Sequence, residues 1–199
     1  MMRVLLLSST LALSGCISLL PEPPPPPRTF VLEAQDVARA QGAPVDAVIA
    51  VATPMGERAL LGSDLIWRTG DQIAYVDQTQ WSNRAADSLQ QMLTETLVRQ
   101  GRFRAAARSG EASAEYELRW EVLDFEVREE DMSARFSADV LLVARGRQIV
   151  ASQIISTQAP VADRSSSAAA QALARAAREG SARIGEFAAD RAAEASAAR

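Results

Sequence analysis

The sequence predicts an α/β (α+β) fold: a two-layer sandwich in which a mainly antiparallel mixed sheet carries two helices on one face. Three observations predict it. β-prone runs come in two groups, each followed by a long stretch whose apolar residues recur at helical spacing. The later runs are joined by short glycine-containing connections, as antiparallel neighbours are. The composition, 48% hydrophobic and 23% charged, is that of a chain with one sizeable core, and 199 residues suit a single domain plus segments outside it.

Residues 29–33 form a short β-prone run. Residues 47–52, Ala-Val-Ile-Ala-Val-Ala, are continuously apolar and predict a central strand buried on both faces. Gln41-Gly42-Ala43-Pro44 turns the chain between them, and Thr53-Pro54-Met55-Gly56 ends the second. Residues 65–68 and 72–76 flank Thr69-Gly70-Asp71 and predict a hairpin. A helix is expected over 82–100, with Leu89, Met92, Leu93, Thr96 and Leu97 on one stripe and Gly101 as its stop.

Strands resume at 103–107 and 114–127. In the latter, Tyr116, Leu118, Trp120 and Val122 alternate with charged residues, and then Leu123, Phe125 and Val127 become the apolar members. A β-bulge near Val122-Leu123 would keep both halves on one core face. Residues 134–145 and 148–157 continue as a meander turned at Gly146. The last helix is expected over 165–189, capped by Ser165-Ser166-Ser167, with Leu173, Ala177, Gly180, Ile184 and Phe187 as its narrow inner face. Fifteen of the 31 residues from 168 to 198 are Ala, which favours helix and close backbone approach; residues 190–199 are expected to fray.

The N-terminus reads as an address. Arg3 precedes a ten-residue apolar stretch, which at about 1.5 Å per residue spans roughly half of a hydrocarbon core of about 30 Å and cannot anchor by crossing it. Leu13-Ser14-Gly15-Cys16 resembles the lipobox of bacterial lipoproteins, so residues 1–15 are expected to be removed and Cys16 to carry lipid. Ile17, where Asp would favour retention at the inner membrane, points to the outer membrane. Residues 16–28 then form a proline-rich linker. Its run Pro21-Glu22-Pro23-Pro24-Pro25-Pro26-Pro27 favours polyproline II and reads as a spacer of roughly 20 Å. The folded domain is expected over 29–189.

Composition narrows the chemistry. The chain has no His and no Lys, all 21 basic residues are Arg, and the one Cys is Cys16. Ser-His-Asp and Cys-His pairs, a Walker lysine, a Schiff-base lysine and His or multi-Cys metal sites are therefore excluded, and no cofactor is expected. A net charge of −4 gives no reason to expect nucleic acid. Carboxylate chemistry survives, yet the densest acidic group, Glu126, Glu129, Glu130 and Asp131, reads most simply as a solvated turn that blunts edge pairing. Arg99, Arg102, Arg104 and Arg108 read as a solvated face. Trp67, Tyr75 and Trp81 are the candidates for partner or lipid contact, with core packing as the plainer role of each tryptophan.

The lipobox, the proline segment, the two early strands, Asp64-Leu65-Ile66-Trp67-Arg68, Ile73-Ala74-Tyr75 and Trp81 before the helix together resemble the ABC-type transport auxiliary lipoproteins, the PqiC-like family, over residues 29–187. In that family a basic residue commonly precedes the tryptophan, and an acidic residue and a proline follow it. Here Gln80-Trp81-Ser82-Asn83-Arg84 keeps the tryptophan alone. The resemblance implies a non-catalytic accessory of an ABC-driven system that moves lipid or other hydrophobic molecules between membranes. Its partners would be an MCE-type substrate-binding protein and the ABC permease and ATPase, and it could itself form a homo-oligomer. A lipid carrier with a cavity between sheet and helices, and a carboxylate-dependent hydrolase, are the competing functions.

Overall fold

Residues 26–198 are described by the structure, a computed structural model. In chain order the elements are β1 (Arg28–Phe30), β2 (Val45–Val51), β3 (Met55–Gly56), α1 (Arg58–Leu61), β4 (Asp64–Thr69), β5 (Gln72–Trp81), α2 (Ala85–Gln100), β6 (Phe103–Arg108), β7 (Tyr116–Arg128), β8 (Ser133–Ala144), β9 (Gln148–Pro160) and α3 (Ser166–Ala197).

β7 is the axis of the single mixed sheet. One of its edges pairs antiparallel with β8 along the whole strand, and β8 pairs antiparallel with β9. The other edge is shared by three parallel partners in succession: β2 at Tyr116 to Leu118, β3 at Glu121 and Val122, and β4 at Val127 and Arg128. β6 flanks β2, and β5 followed by β1 flanks β4. The long ladders are antiparallel and the parallel pairings are short, in keeping with the sheet expected from sequence.

Both long helices cover one face. α2 lies over β2 and β6, and α3 lies over β7, β8 and β9 and packs along α2. The expected stripe of α2 is buried, and Gly101 ends the helix at φ 68°, a conformation that glycine adopts without strain. The bulge falls where the alternation changes phase: the register of β7 shifts between Val122 and Asp124, leaving Leu123 exposed and Phe125 and Val127 in the core with Val122. Trp81 stacks on Phe125 at 5.8 Å, and Phe125 meets Phe136 edge-on at 6.4 Å. On α3, Leu173, Ala177, Gly180 and Ile184 are buried as expected. Gly180 is required by contact, since a Cβ there would overlap the ring of the fully buried Phe136.

Several boundaries differ from those expected, among them β9, which runs on to Pro160, and three have a clear physical reason. β1 ends at Phe30, because the next residues leave the sheet edge and Leu32 and Ala34 turn into the core. Trp81 closes β5 instead of opening the helix: its amide donates to Ser63 O and the helix begins at Ala85, so the strand continues five residues past the expected end. α3 runs on to Ala197, past 189, because Ala192 is buried and Tyr116 Oη bonds Ala192 O and Ser196 Oγ. Tertiary contact holds the tail that alanine content alone would let fray.

Candidate interaction surface

Cys16 and residues 21–25 of the proline run lie outside the described residues. The three aromatic candidates are not brought together. Trp81 is 2% exposed and belongs to the core, Trp67 is half-buried against the core, and Tyr75 is 57% exposed on β5. Trp120 is also core, its indole N–H donating to Ala52 O at 2.8 Å. Tyr75 alone offers a full aromatic face to solvent. It borders an open cleft of about 1010 Å³ that Arg58, Leu61, Asp64 and Arg84 also line.

Of the acidic group, Glu129, Glu130 and Asp131 do lie in the turn between β7 and β8, with Glu130 and Asp131 exposed, but Glu126 does not belong to it. Glu126 is fully buried on the face of β7 away from the helices, where Arg68 Nε donates to both of its oxygens at 2.7 and 2.8 Å and Arg128 Nε approaches at 2.6 Å. Glu129 accepts from Thr69 Oγ1 and pairs with Arg164 at 2.7 Å, while Glu130 accepts from the Gly70 amide. Asp131 accepts from Ser133 and Arg135. Together they latch the β7–β8 turn onto the tip of the β4–β5 hairpin, where Glu129 N also donates to Arg68 O. The Gly70 amide holds the Glu130 carboxyl below its ordinary range, and Ser133 with Arg135 does the same for Asp131. Sequence spacing could not show this, because the hairpin tip lies about sixty residues away along the chain.

The arginine group is likewise not one solvated face. Arg102 is 6% exposed and donates to Ala43 O at 3.2 and 3.1 Å and to Asp190. With Arg99 on Ala34 O and Arg178 on Glu33 O, it ties residues 33–43 across the C-terminal end of α2 and the flank of α3. Guanidinium donors suit this task, since an irregular segment leaves carbonyls that no ladder satisfies.

The largest feature that sequence reading missed is the sheet face opposite the helices. Period-2 geometry puts the core residues of β7, β8 and β9 on one side and their neighbours on the other. Registered rows on that bare side are Glu117–Val143–Ile149, Arg119–Leu141–Ser152 and Glu121–Asp139–Ile154, with Met55 of β3 beside Glu121. Met55, Ile149 and Ile154 are 60–66% exposed. Glu121 and Asp139 stand directly opposite each other, and among the described residues neither forms an ion pair, an arrangement that repels in isolation. The β9 sequence carried part of the signal, since Ile154 falls out of phase with the buried Ile155, Thr157 and Ala159; Ile149 shares their phase and reaches the bare side only through the register shift opposite Leu142 and Val143.

Among the described residues no cluster of His, Cys, Asp and Glu is placed to hold a metal ion, and no helix is long and apolar enough to cross a membrane. The fold is an α+β module with one sheet face left uncovered by its helices. The chain belongs to the family of ABC-type transport auxiliary lipoprotein components, whose family model matches residues 30–185. No curated protein sequence matches it. A Xanthomonas campestris protein of the DUF330 family superposes with a TM-score of 0.79 at 19% identity, covering 85% of this chain and 98% of its own. A second solved structure, of an uncharacterized protein, superposes at 0.67 and 16% identity, covering 82% of this chain and 99% of its own. At those identities the two establish the fold.

Proposed function

We propose that the chain is a non-catalytic accessory lipoprotein of an ABC-driven, MCE-type system moving lipid between membranes, anchored in the outer membrane through Cys16 and facing the periplasm. It acts as a docking component for the MCE-type substrate-binding protein and, through it, for the permease and ATPase. ATP hydrolysis belongs to those partners, since this chain has no lysine for a Walker motif. Family membership gives the transport system, and the bare sheet face supports the docking role. Apolar Met55 and Ile154 flank the opposed Glu121 and Asp139, with Ile149 two rows further along the same face, a pattern complementary to a basic group set among apolar ones.

The competing functions find less support. A carrier would need space between the layers, where Phe136 already packs against Gly180. A hydrolase would need a carboxyl raised to act as acid. The displaced carboxylates Glu115, Glu117, Glu130, Asp131 and Asp163 all move down, as acceptors of hydrogen bonds do.

Photo-crosslinking from position 154 in intact cells tests the reading. Capture of an MCE-type or ABC component, reduced about tenfold by Glu121→Arg, is the expected result. Repeated capture of neither class would remove it, and capture of a second copy alone would assign this face to a homo-oligomer instead.

A further inference from the structure

Among the described residues β9 pairs with β8 alone, so the other side of Gln148–Pro160 carries no strand. Val161 N donates to Met132 O on the β8 side, and backbone groups alternate in direction along a strand, so those of residues 152, 154, 156, 158 and 160 point outward. Two arginines of α3 agree with that assignment: Arg175 donates to Pro160 O at 2.9 Å and Arg183 to Ser156 O at 3.4 Å. Both reach the C-terminal half of the edge. Toward its start the edge stays bare as far as the register shift opposite Leu142 and Val143.

Charge does not protect this edge. The chain is 23% charged, yet the thirteen residues of β9 include no Asp, Glu, Lys or Arg. The other outward edges of the sheet do carry charge: Arg104 and Arg108 on β6, Arg28 on β1 and Asp77 on the open part of β5. Charged side chains and proline are what keep an exposed strand from pairing, and β9 has only Pro160, at its end.

We infer that β9 pairs antiparallel with β9 of a second copy of this chain, about a two-fold axis at Ile154. The missing charge selects this occupant. In a two-fold pairing the strand meets itself, so any charge near the axis would face its own like, whereas a strand of another protein imposes no such requirement. Ile154 is the middle residue of β9, and centring there overlaps the two strands along their whole length. Outward backbone then faces outward backbone: Ile154 meets Ile154 of the second copy, and Ser152 meets Ser156, so their N–H groups find carbonyls. The side chains match as well. Ile154, 61% exposed, gains an apolar partner, and the exposed Ser152 extends the hydroxyl pair that Ser156 already makes with Ser137 at 2.8 Å.

The pairing joins two sheets into one. β7, β8 and β9 of both copies form a continuous band, and because the axis is perpendicular to the sheet the two bare faces share one side. The two Glu121–Asp139 pairs then stand on either side of the central isoleucines. This inference rests on the edge and not on the docking role, although position 154 then lies within reach of both a second copy and a docked partner.

The test uses the full lipoprotein in detergent micelles, with the wild-type chain, whose one Cys is Cys16, as control. Ile154→Cys should give a disulfide-linked dimer on mild oxidation, because opposed Cα atoms of a hydrogen-bonded pair lie about 5.5 Å apart, within the span of a disulfide. Ile149→Cys is as exposed, but in this register it lies about 33 Å from its own copy and should link at least about tenfold less. Equal linkage at both positions, or none at 154, would overturn the proposal. Sedimentation equilibrium provides the second measurement. The wild-type chain should have the mass of two copies, and Ile154→Lys, which sets like charges across the axis, should weaken the dimer about tenfold with an unchanged circular dichroism spectrum. A wild-type mass other than that of two copies, or a Lys variant that pairs as tightly, would overturn it as well. Neither readout needs the transport partner, so failure here is distinguishable from failure of the docking role.

Discussion

Glu126 and Gly180 carry most at the scale of single residues. A carboxylate with almost no solvent, held between two guanidiniums that are each about a quarter to a third exposed, is structural glue whose loss strands two cations. Glu126→Gln should lower the unfolding free energy by about 2–3 kcal/mol in urea denaturation, at the low end for a broken buried pair because both arginines retain water. Gly180→Ala distinguishes packing from propensity. Helix propensity alone would stabilise by up to about 1 kcal/mol, whereas the collision with Phe136 costs about 1–3 kcal/mol, so the same measurement should show a net loss of about 1–2 kcal/mol. A gain would mean that the ring has room to move. The alanine and glycine content of α3 was plain in the sequence, but the ring against Gly180 was not, because Phe136 sits 44 positions earlier.

Elements are stabilised by their ends and by the latch. Ser165 caps α3 by accepting from Ala168 N at 3.1 Å, as its position before the alanine run implied, and Ser165→Ala should cost about 1 kcal/mol. Glu115, Glu117, Glu130 and Asp131 accept, respectively, from the Val48 amide, the Ser109 hydroxyl, the Gly70 amide and the Ser133 hydroxyl, which hold their folded values below the ordinary 4.5 for Glu and 3.8 for Asp. A carboxyl lowered in the folded state contributes its stability above the unfolded value and loses it as pH falls through the folded one. The melting temperature should therefore be flat with respect to these groups above about pH 5 and fall progressively below about pH 4. A melting temperature that held steady from pH 5 to pH 2 would contradict the latch. Element identity was legible from periodicity, including the bulge at Leu123. Element ends were not, since Trp81 and Ala192 are fixed by partners distant in sequence.

For the whole molecule the consequence is placement. If Cys16 holds the lipid, Cys16→Ala should move the protein from the membrane to the soluble fraction and abolish labelling by a clickable palmitate analogue. A label that survived the substitution would remove the anchor and the transport role built on it. The bare face of β7, β8 and β9 lies at a different part of the surface from the arm of β5 that bears Tyr75. Of the aromatic candidates drawn from the sequence, only Tyr75 lies where a contact can form freely. Trp81 is consumed by the core because β5 runs on to place its indole over Phe125.

Local physics was enough for much of this. The order of strands and helices, the αL stop at Gly101, the phase change in β7 and the exclusion of His-, Lys- and multi-Cys-based sites follow from side-chain period, backbone freedom and residue types, all of which a linear chain displays. Folding alone decided which face of β7 to β9 stays uncovered, that Glu121 meets Asp139 and that Glu126 is buried between arginines. Those depend on register between segments tens of residues apart, and register is set by the packing of the whole core.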